Sequence, residues 1–258
     1  MTGRPADESA EHPRSGDAWL AALPALIDEH CARWDLTPDG EPWHGENALV
    51  VPVHRGVEPL ALKLTWPHRE AQVEHLALRA WNGRGAVRLV AADPAAYVLL
   101  LERLDGDRNL TREPILDACE VVGELMATLR RPGLPQLDSL FAQAQTWVDR
   151  LAAEHPAVPR RLTAQAATLT RDLAASADPQ AYLVHQDLHF GNVLAARRAP
   201  WLAIDPQPIN GEWAYAVAPV ILNRATDSAR AHNLRLHLRL RADTVAQAAG
   251  LDEDRVRA

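Results

Sequence analysis

Two short apolar runs that end in polar residues constrain the fold of this chain more than any other feature of its sequence. The first run, Tyr182–Val184, leads into a polar segment that contains His185, Asp187 and Asn192. The chain becomes apolar again at Val193–Leu194, and after a turn at Arg197–Pro200 the second run ends abruptly at Asp205. Because apolar runs of this length between turn residues are typical of β-strands, the sequence predicts a hairpin that presents these polar side chains at one end.

The spacing of these polar residues matches a known catalytic pattern. Asp187 and Asn192 have the same separation as the aspartate and asparagine of the kinase catalytic loop, H-R-D-x-x-x-x-N. In that loop the aspartate accepts a hydroxyl proton, the asparagine binds Mg²⁺, and an aspartate after the next strand also holds the metal. Asp205 stands at this third position. The pattern therefore predicts a site for phosphate transfer, with the oxygen ligands that Mg²⁺ prefers.

The same segment permits two other interpretations. His185, Asp187 and His189 alternate along the chain, so on a true strand all three side chains would face one side and could bind a metal. This arrangement would suit a metallohydrolase. The segment could also be a purely structural loop, in which His185 satisfies backbone carbonyls and Asp187 caps a turn.

Charge and composition narrow the range of partners. The net charge is −7 and acidic and basic residues are interspersed, which argues against nucleic acid as a partner and suits a cationic small molecule. Cys31 and Cys119 are the only cysteines, and their distance in sequence predicts neither a disulfide framework nor a zinc site. Residues 1–17 lack an apolar signal core and no stretch reaches membrane-spanning length. We therefore expect a cytoplasmic protein with no membrane partner.

The first part of the chain has the pattern of a small β-rich lobe, residues 17–103. A helical spacing over Ala18–Trp34 precedes β-like runs at residues 48–53, 60–66, 87–91 and 97–101. The polar segment Glu102–Gly106 suits an exit from this lobe, and extended backbone there can pair with an adenine edge. Residues 1–16 are rich in Pro, Gly, Ser and charge, which predicts a flexible arm.

A lysine and a glutamate in this lobe are candidate nucleotide-binding residues. Lys63 lies on the strand face opposite the large apolar side chains of the run 60–66. A helical stripe that begins at Pro67 places Glu74 beside its apolar positions. In kinases a helix glutamate orients a strand lysine onto the α- and β-phosphates. The alternative for Lys63 is a solvated strand residue.

Helical patterns dominate from residue 104 to residue 258, outside the central hairpin. The segment Asn210–Trp213 predicts a loop. Predicted N-caps are Thr111, Asp138 and Asp252. Predicted helices cover residues 112–130, a segment after Asp138, and residues 160–175, 215–224, 230–249 and 253 onward.

The candidate residues Lys63, Glu74, Asp187, Asn192 and Asp205 follow one another along the chain in the order that kinases have. The chain from Trp43 to Asp254 resembles the aminoglycoside phosphotransferase family, because it also contains the sequences His-Gln-Asp-Leu-His-Phe-Gly-Asn-Val-Leu and Trp-Leu-Ala-Ile-Asp-Pro. It is most similar to the branch of streptomycin 6-phosphotransferases and hydroxyurea-resistance kinases. The resemblance implies the α+β class and a two-lobed, protein-kinase-like fold. A small β-rich N-terminal lobe would bind nucleotide, and a larger, mainly helical C-terminal lobe would carry the catalytic and substrate sites.

The resemblance also implies an activity and catalytic roles. The reaction would transfer the γ-phosphate of ATP, or in some members of GTP, to a hydroxyl of an aminoglycoside or aminocyclitol such as streptomycin. Asp187 would be the catalytic base, Asn192 and Asp205 would bind Mg²⁺, and His185 would shape the loop. The substrate would be a hydroxylated, cationic small molecule, and the protein a monomer or a homodimer.

On the nucleotide side, the resemblance implies contacts from both side chains and main chain. Lys63 would bind the phosphates, Glu74 would orient Lys63, and the backbone at Glu102 and Leu104 would bind adenine. Glu212, like Asp105, is a candidate acidic contact to substrate, with a solvated loop carboxylate as the alternative.

Three positions depart from the family's usual pattern. Gln186 and Phe190 stand where the family usually has Gly and Pro, and Ala216 stands where an aspartate usually braces the catalytic loop. The family also commonly continues beyond residue 258. These departures motivate a second hypothesis, a catalytically impaired, kinase-like protein that binds nucleotide or ligand without turnover.

Overall fold

The computed structural model describes residues 16–45, 47–153, 158–176 and 181–258. The predicted arm lies outside the described residues except for Gly16, which begins the first helix. The chain divides into two compact units. One comprises the chain up to Gln72 together with Val90–Glu102, and the other comprises Val73–Leu89 and Arg103–Ala258. The division into lobes at residues 103 and 104 stays a prediction.

The first unit is an antiparallel sheet with a helix packed on it. The helix is α1, Gly16–Trp34. The strands are β1 (Thr37–Pro38), β2 (Trp43–His44), β3 (Ala48–Arg55), β4 (Glu58–Thr65), β5 (Leu89–Asp93) and β6 (Val98–Glu102). Their order is β1-β3-β4-β6-β5, and β2 also pairs with β3. Leu60, Leu62 and Leu64 alternate along β4, so they share one face and join the buried cluster with α1.

The helix after β4 is α2, Arg69–Trp81. Of its predicted apolar stripe, Ala77 and Trp81 are fully buried, whereas Val73, Leu76 and Ala80 are half-buried. The buried face also includes Leu78, which the predicted stripe did not contain. The indole of Trp81 donates a hydrogen bond to the carbonyl of Leu129 at 2.8 Å, which fixes this end of the helix.

The second unit is mainly helical and carries two small sheets. Its helices are α3 (Ile115–Leu129), α4 (Leu140–Ala152), α5 (Arg160–Ala175), α6 (Ala218–Leu222), α7 (Ala225–Arg230), α8 (Leu234–Ala249) and α9 (Glu253–Arg257). Its strands are β7 (Asp105–Asn109), β8 (Tyr182–Val184), β9 (Val193–Ala195), β10 (Trp201–Ala203) and β11 (Ile209–Gly211). One sheet has the order β10-β9-β7, and the other pairs β11 with β8.

Helix α3 packs closely against α8 because Gly123 has no side chain. A Cβ atom at Gly123 would lie 2.6 Å from Ala248 Cβ and 2.7 Å from the Val245 carbonyl oxygen. The buried residues of α3 include Cys119, and burial raises the pKa of this thiol.

Two strands in this unit were not predicted. The polar segment expected to be a linker contains β7, an exposed edge strand that pairs with β9. The expected loop at Asn210 contains β11, which pairs with β8. β7 is a polar, mostly exposed segment, and β11 has only three residues, of which Ile209 and Gly211 are buried. Neither segment is long or apolar enough to show a strand alternation in the sequence.

Several predicted helix ends were wrong. Thr111 does not begin α3, because Pro114 forces extended backbone on Glu113 (ψ 157°) and the helix starts only at Ile115. Ser139, rather than Asp138, caps α4. The predicted helix 230–249 begins only at Leu234 but ends at Ala249 as expected, and it is preceded by α7, which was not predicted. The predicted helix 215–224 is a short 3₁₀ turn followed by α6.

Other predicted helix ends are confirmed. Asp252 caps α9 by accepting a hydrogen bond from the Arg255 amide, and α5 has its predicted bounds, Arg160–Ala175. Among the helices in the described parts of the chain, none is long and apolar enough to cross a membrane.

Candidate active site

The segment between β8 and β9 holds two predicted catalytic residues in one tightly bonded turn. Asn192 Nδ2 donates to the backbone carbonyl of Asp187 at 2.9 Å and to its carboxylate Oδ2 at 3.2 Å. Gln207 Nε2 lies 3.4 Å from the same oxygen, and His189 Nε2 lies 3.9 Å from it. Asn192 and Gln207 therefore orient a carboxylate whose side chain is about one-third exposed.

The hairpin β9–β10 brings Asp205 to the same end as Asn192. Val193 pairs with Ala203, and the amide of Ile204 donates to the carbonyl of Asn192 at 2.9 Å. Asn192 and Asp205 therefore flank the last pairing of the hairpin, which confirms that this hairpin presents polar groups at one end. Asp205 adopts a left-handed backbone, φ 54°. Such strain of about 1–3 kcal/mol is common at functional sites.

The donor set at this end fits Mg²⁺. The Asn192 amide nitrogen is directed at Asp187, so its amide oxygen could bind the metal, and the Asp205 carboxylate would be the second ligand. Mg²⁺ is usually bound through one or two carboxylates, water and substrate phosphates rather than by a complete protein cage.

His185 ties the loop to the hairpin. Its Nε2 lies 2.9 Å from the Ile204 carbonyl, and its own carbonyl accepts from the amides of Asp187 (2.7 Å) and Gln207 (3.1 Å). The ring is fully buried and stacks on Trp81 at 6.0 Å. Burial lowers the pKa of His185 to about 4, so the ring is neutral at neutral pH. These contacts give His185 a structural part in the loop.

The three-ligand metal site expected from alternation is wrong. Gln186 has φ 63° and a 3₁₀ turn covers Phe190–Asn192, so the segment is not a strand and does not align His185, Asp187 and His189 on one side. His189 Nδ1 instead accepts from the Gly191 amide at 3.0 Å. Across the described ranges, no group of three or more His, Cys, Asp or Glu residues has the arrangement of a metal site.

The predicted nucleotide-binding side chains are both buried. Lys63 is central in β4, between Val50 on β3 and Leu99 on β6, and is 5% exposed. Glu74 lies in α2 and is 3% exposed. The interpretation of Lys63 as a solvated strand residue is therefore wrong. A buried charge needs charged or hydrogen-bonding partners, which is typical of functional ion pairs.

The predicted adenine-binding backbone lies at the end of the first sheet. Glu102 is the last residue of β6 and pairs with Leu60, and Leu104 lies in the short segment before β7. Their role toward a base stays a prediction.

A cavity of about 510 Å³ lies within the second unit. Its walls are mainly apolar and come from α4, α5, α6 and the segments 211–215 and 255–258. Trp147 and Tyr215 line it and stack at 5.6 Å. The Tyr215 hydroxyl lies 3.4 Å from Gln186 Nε2, next to Asp187. Sequence reasoning missed these aromatics because they come from distant segments and belong to no motif.

Glu212 lines this cavity but already has a cationic partner. Arg255 Nε and NH2 donate to the two Glu212 carboxylate oxygens at 3.0 and 2.7 Å. Arg255 also donates to the carbonyl of Leu173 at 2.6 Å and to Ser176 Oγ at 2.8 Å. Substrate contact by Glu212 stays a prediction.

The class of protein follows from these features. The second unit carries a kinase-type loop and a hairpin aspartate, and the first unit buries a strand lysine. They define a phosphotransferase of the protein-kinase-like class. The chain belongs to the family described as aminoglycoside/hydroxyurea antibiotic resistance kinase, whose sequence profile matches residues 33–258.

Relatives support this assignment. The chain is 39% identical over 249 residues to a streptomycin 6-kinase of Streptomyces glaucescens, covering 93% of this chain and 80% of that protein. It is 39% identical to a hydroxyurea phosphotransferase of Kitasatospora aureofaciens, covering 95% and 72% of the two chains. The predicted family, its branch and the kinase class are confirmed.

Solved structures confirm the predicted fold class. An ethanolamine kinase of Plasmodium vivax matches with a TM-score of 0.61 at 12% identity, covering 94% of this chain and 78% of that one. Aminoglycoside phosphotransferase APH(4)-Ia matches with a TM-score of 0.55 at 16% identity, covering 91% and 98%. Likeness at this identity concerns the fold alone.

Proposed function

We propose that this protein transfers the γ-phosphate of ATP to a hydroxyl group of an aminoglycoside, with streptomycin as the first acceptor to test. The observation that carries this proposal is the hydrogen-bonded pair of Asp187 and Asn192, placed at the same hairpin end as Asp205. The relatives named streptomycin 6-kinase support the acceptor class. The relative named hydroxyurea phosphotransferase makes the hydroxyl of hydroxyurea the second acceptor to test.

Asp187 is the proposed catalytic base toward the acceptor hydroxyl. Asn192 and Gln207 both donate to Oδ2, so they fix the carboxylate rotamer from one side. A base held in this way meets the acceptor without reorganisation, and orientation is the main contribution that a protein makes to phosphate transfer. Asn192 and Asp205 would hold Mg²⁺, which neutralises charge on the phosphates when it is bound.

On the nucleotide side we propose four contacts. Lys63 binds the α- and β-phosphates, Glu74 orients Lys63, and the main chain at Glu102 and Leu104 pairs with the adenine edge. The burial of Lys63 and Glu74 supports these roles, because neither charge would be removed from water without strong partners. GTP is the alternative donor. A cytoplasmic location and a monomeric or homodimeric state remain predictions.

The cavity beside Gln186 is the proposed acceptor site. The aromatic faces of Trp147 and Tyr215 can pack against a sugar ring and attract a cationic substituent. Tyr215 supports this assignment, because it lines the cavity and its hydroxyl lies 3.4 Å from Nε2 of Gln186, the residue before the proposed base. An acceptor bound there would direct a hydroxyl toward Asp187.

An acceptor panel tests the proposal. Formation of ADP from ATP and Mg²⁺ is measured with streptomycin, other aminoglycosides, hydroxyurea and simple aminocyclitols, for the wild type and Asp187→Asn. Asp254→Asn is the matched control, because that carboxylate is 94% exposed and lies in α9. Acceptor-dependent turnover that falls at least about a hundredfold only in Asp187→Asn supports the kinase. Equal turnover in both variants would contradict the role of Asp187.

A kinase-like protein that binds without turnover is the second candidate. Ala216, which replaces the usual bracing aspartate, is fully buried and supplies no side-chain acceptor. Calorimetry distinguishes the two functions. ATP binding without phosphate transfer to any acceptor supports the binder, and turnover contradicts it.

A further inference from the structure

Phe190 occupies the centre of the candidate catalytic loop. It lies between Asp187 and Asn192, begins the 3₁₀ turn that ends at Asn192, and is fully buried. Its ring is therefore the apolar anchor of the loop, and any group that holds the ring also limits movement of the turn.

Two guanidinium groups approach this ring. The Cζ atoms of Arg224 and Arg241 lie 5.8 and 5.6 Å from the Phe190 centroid. Arg224 follows α6, has a left-handed backbone (φ 55°), and donates to the carbonyl of Glu113 at 2.7 Å. It also forms an ion pair with Asp227 at 2.5 Å.

Arg241 approaches from α8 and is itself fully buried. Its NH2 group donates to the carbonyls of Val220 and Asn223, the latter at 2.8 Å, and its NH1 group lies 3.2 Å from Ser228 Oγ. Backbone carbonyls and a hydroxyl are thus its hydrogen-bond acceptors, and the Asp227 carboxylate, which pairs with Arg224, also acts on its charge.

The two guanidinium groups share one carboxylate, Asp227, so burying both of them has a free-energy cost. Burial lowers the pKa of Arg241 and the charge of Arg224 lowers it further, while Cys119 and Asp227 act in the opposite direction. The negative face of an aromatic ring attracts a cation most strongly where water is excluded. Phe190 is fully buried and lies within 6 Å of both guanidinium groups, so it offsets part of the cost of burial and of the repulsion between them.

We propose that Arg224 and Arg241 are positioning residues that hold the Phe190 ring and thereby fix Asp187 and Asn192 for phosphate transfer. Neither arginine has a role at the reacting atoms. This inference rests on the proposed function for its catalytic consequence. Its structural part, the hold on the loop, is measurable without any acceptor.

Fluorination of the ring provides the sharpest test. Mono-, di- and trifluorophenylalanine placed at position 190 retain the shape of the ring while progressively removing its attraction for cations. Hydrogen exchange is followed at the amides of Asp187, His189, Gly191 and Asn192, which are all bonded within the loop. We expect protection and kcat to fall with each fluorine, to about a tenfold loss of kcat for the trifluoro form, because small misplacement of a catalytic group is costly.

Arginine variants complete the test. Arg224→Met should lose about tenfold in kcat with unchanged KM for ATP, and Arg224→Lys, which keeps the cation, should recover part of the loss. Arg130→Met is the matched control, since Arg130 lies 6.0 Å from the Tyr182 ring and donates to the Ala249 carbonyl at 3.0 Å. It should lower stability but leave loop protection intact. Replacing the buried Arg241 would disturb folding. The fluorinated series at position 190 therefore tests the contact of Arg241 with the ring instead.

Equal protection of the loop amides from hydrogen exchange in all fluorinated variants would overturn the proposal. A graded loss of protection at constant kcat would also overturn it. Loss of protection in Arg130→Met as great as in Arg224→Met would show general destabilisation and would also overturn it. If the wild type transfers no phosphate to any acceptor, the proposed function fails, and the exchange gradient alone decides whether the two arginines hold the loop.

Discussion

The side-chain amide of Asn192 donates to both the backbone carbonyl and the carboxylate of Asp187, at 2.9 and 3.2 Å. One side chain therefore closes the loop and also orients the proposed base. The oxygen of the same side-chain amide can then serve as a metal ligand. The catalytic-loop spacing thus has a physical meaning in this chain, because the asparagine can reach the aspartate only across one compact turn.

Replacing the side-chain amide of Asn192 should lower kcat, whereas replacing an asparagine that caps a helix should lower only stability. Asn192→Asp substitutes a carboxylate for the donor, so it repels Asp187 and leaves the Asp187 carbonyl without its partner. We expect kcat to fall at least about a hundredfold, as measured by ADP release under saturating acceptor. Asn233→Ala is the control, because Asn233 only caps α8 through the Leu236 amide at 3.0 Å. It should cost about 1 kcal/mol of stability and leave kcat unchanged. Equal kcat in the two variants would contradict the role of Asn192.

Backbone strain at Gln186 lowers stability, whereas the contacts of its side chain raise it. Its φ of 63° is a conformation that glycine adopts without strain, while its amide lies 3.3 Å from Gln143 Oε1 and 3.4 Å from the Tyr215 hydroxyl. Because these contacts are long, we expect relief of strain to dominate. Gln186→Gly should raise the free energy of unfolding by about 0.5–1 kcal/mol, measured by denaturant unfolding. Gln143→Ala removes only the contact and should lower stability slightly. A fall in Gln186→Gly larger than in Gln143→Ala would show that the contacts dominate.

The sequence predicted those elements that carry their own local signal. The alternation of Leu60, Leu62 and Leu64 predicted β4, and the apolar runs before Asp187 and Asp205 predicted the strands around the loop. The spacing of Asp187 and Asn192 predicted their proximity, because a turn of this length leaves few alternatives.

Contacts that depend on distant segments could not be predicted. The edge strand β7 has a polar sequence and β11 has only three residues, and only the complete fold supplies their partners. Arg255 reaches Glu212 across the chain without any motif to mark it. The pair of cations at Phe190 was missed for the same reason, since arginine in a sequence is ordinarily a surface residue.

Burial of His185 should make stability depend on pH. Its folded pKa, about 4, lies below the ordinary value of 6.5, so the unfolded chain binds the proton more readily. Stability should therefore be unaffected above about pH 6.5 and decrease as the pH falls from 6.5 to 4. From pH 7 to pH 5 this single group should remove about 2 kcal/mol from the free energy of unfolding.

Denaturant unfolding at both pH values checks this dependence. His185→Gln should be less stable than the wild type at pH 7, since it loses ring packing on Trp81, but should lose less stability on going to pH 5. His44→Gln, at an exposed position, is the control and should retain the wild-type dependence. An unchanged pH dependence in His185→Gln would show that another group is responsible.

The ion pair of Glu212 and Arg255 joins the cavity wall to α9. Both side chains are largely shielded, at 25% and 19% exposed, and the guanidinium binds both carboxylate oxygens. Partly buried bidentate pairs are stronger than surface pairs, so we expect a coupling free energy of about 1–2 kcal/mol. A double-mutant cycle with Arg255→Met, Glu212→Gln and the combined variant measures it by denaturant unfolding. A coupling near zero would show that Arg255 acts only through Leu173 and Ser176.

The same variants test whether Glu212 contacts a cationic acceptor. Arg255→Met leaves the Glu212 carboxylate without its guanidinium beside the cavity, so a cationic acceptor should bind more tightly, with KM lowered about threefold or more. Glu212→Gln should remove this gain in the combined variant, because the neutral amide attracts a cation weakly. Hydroxyurea, which carries no cationic group, provides the matched comparison and should show the same KM in all variants. If KM for streptomycin also stays constant, Glu212 is a structural partner of Arg255 and the acceptor takes its position from other groups of the cavity wall.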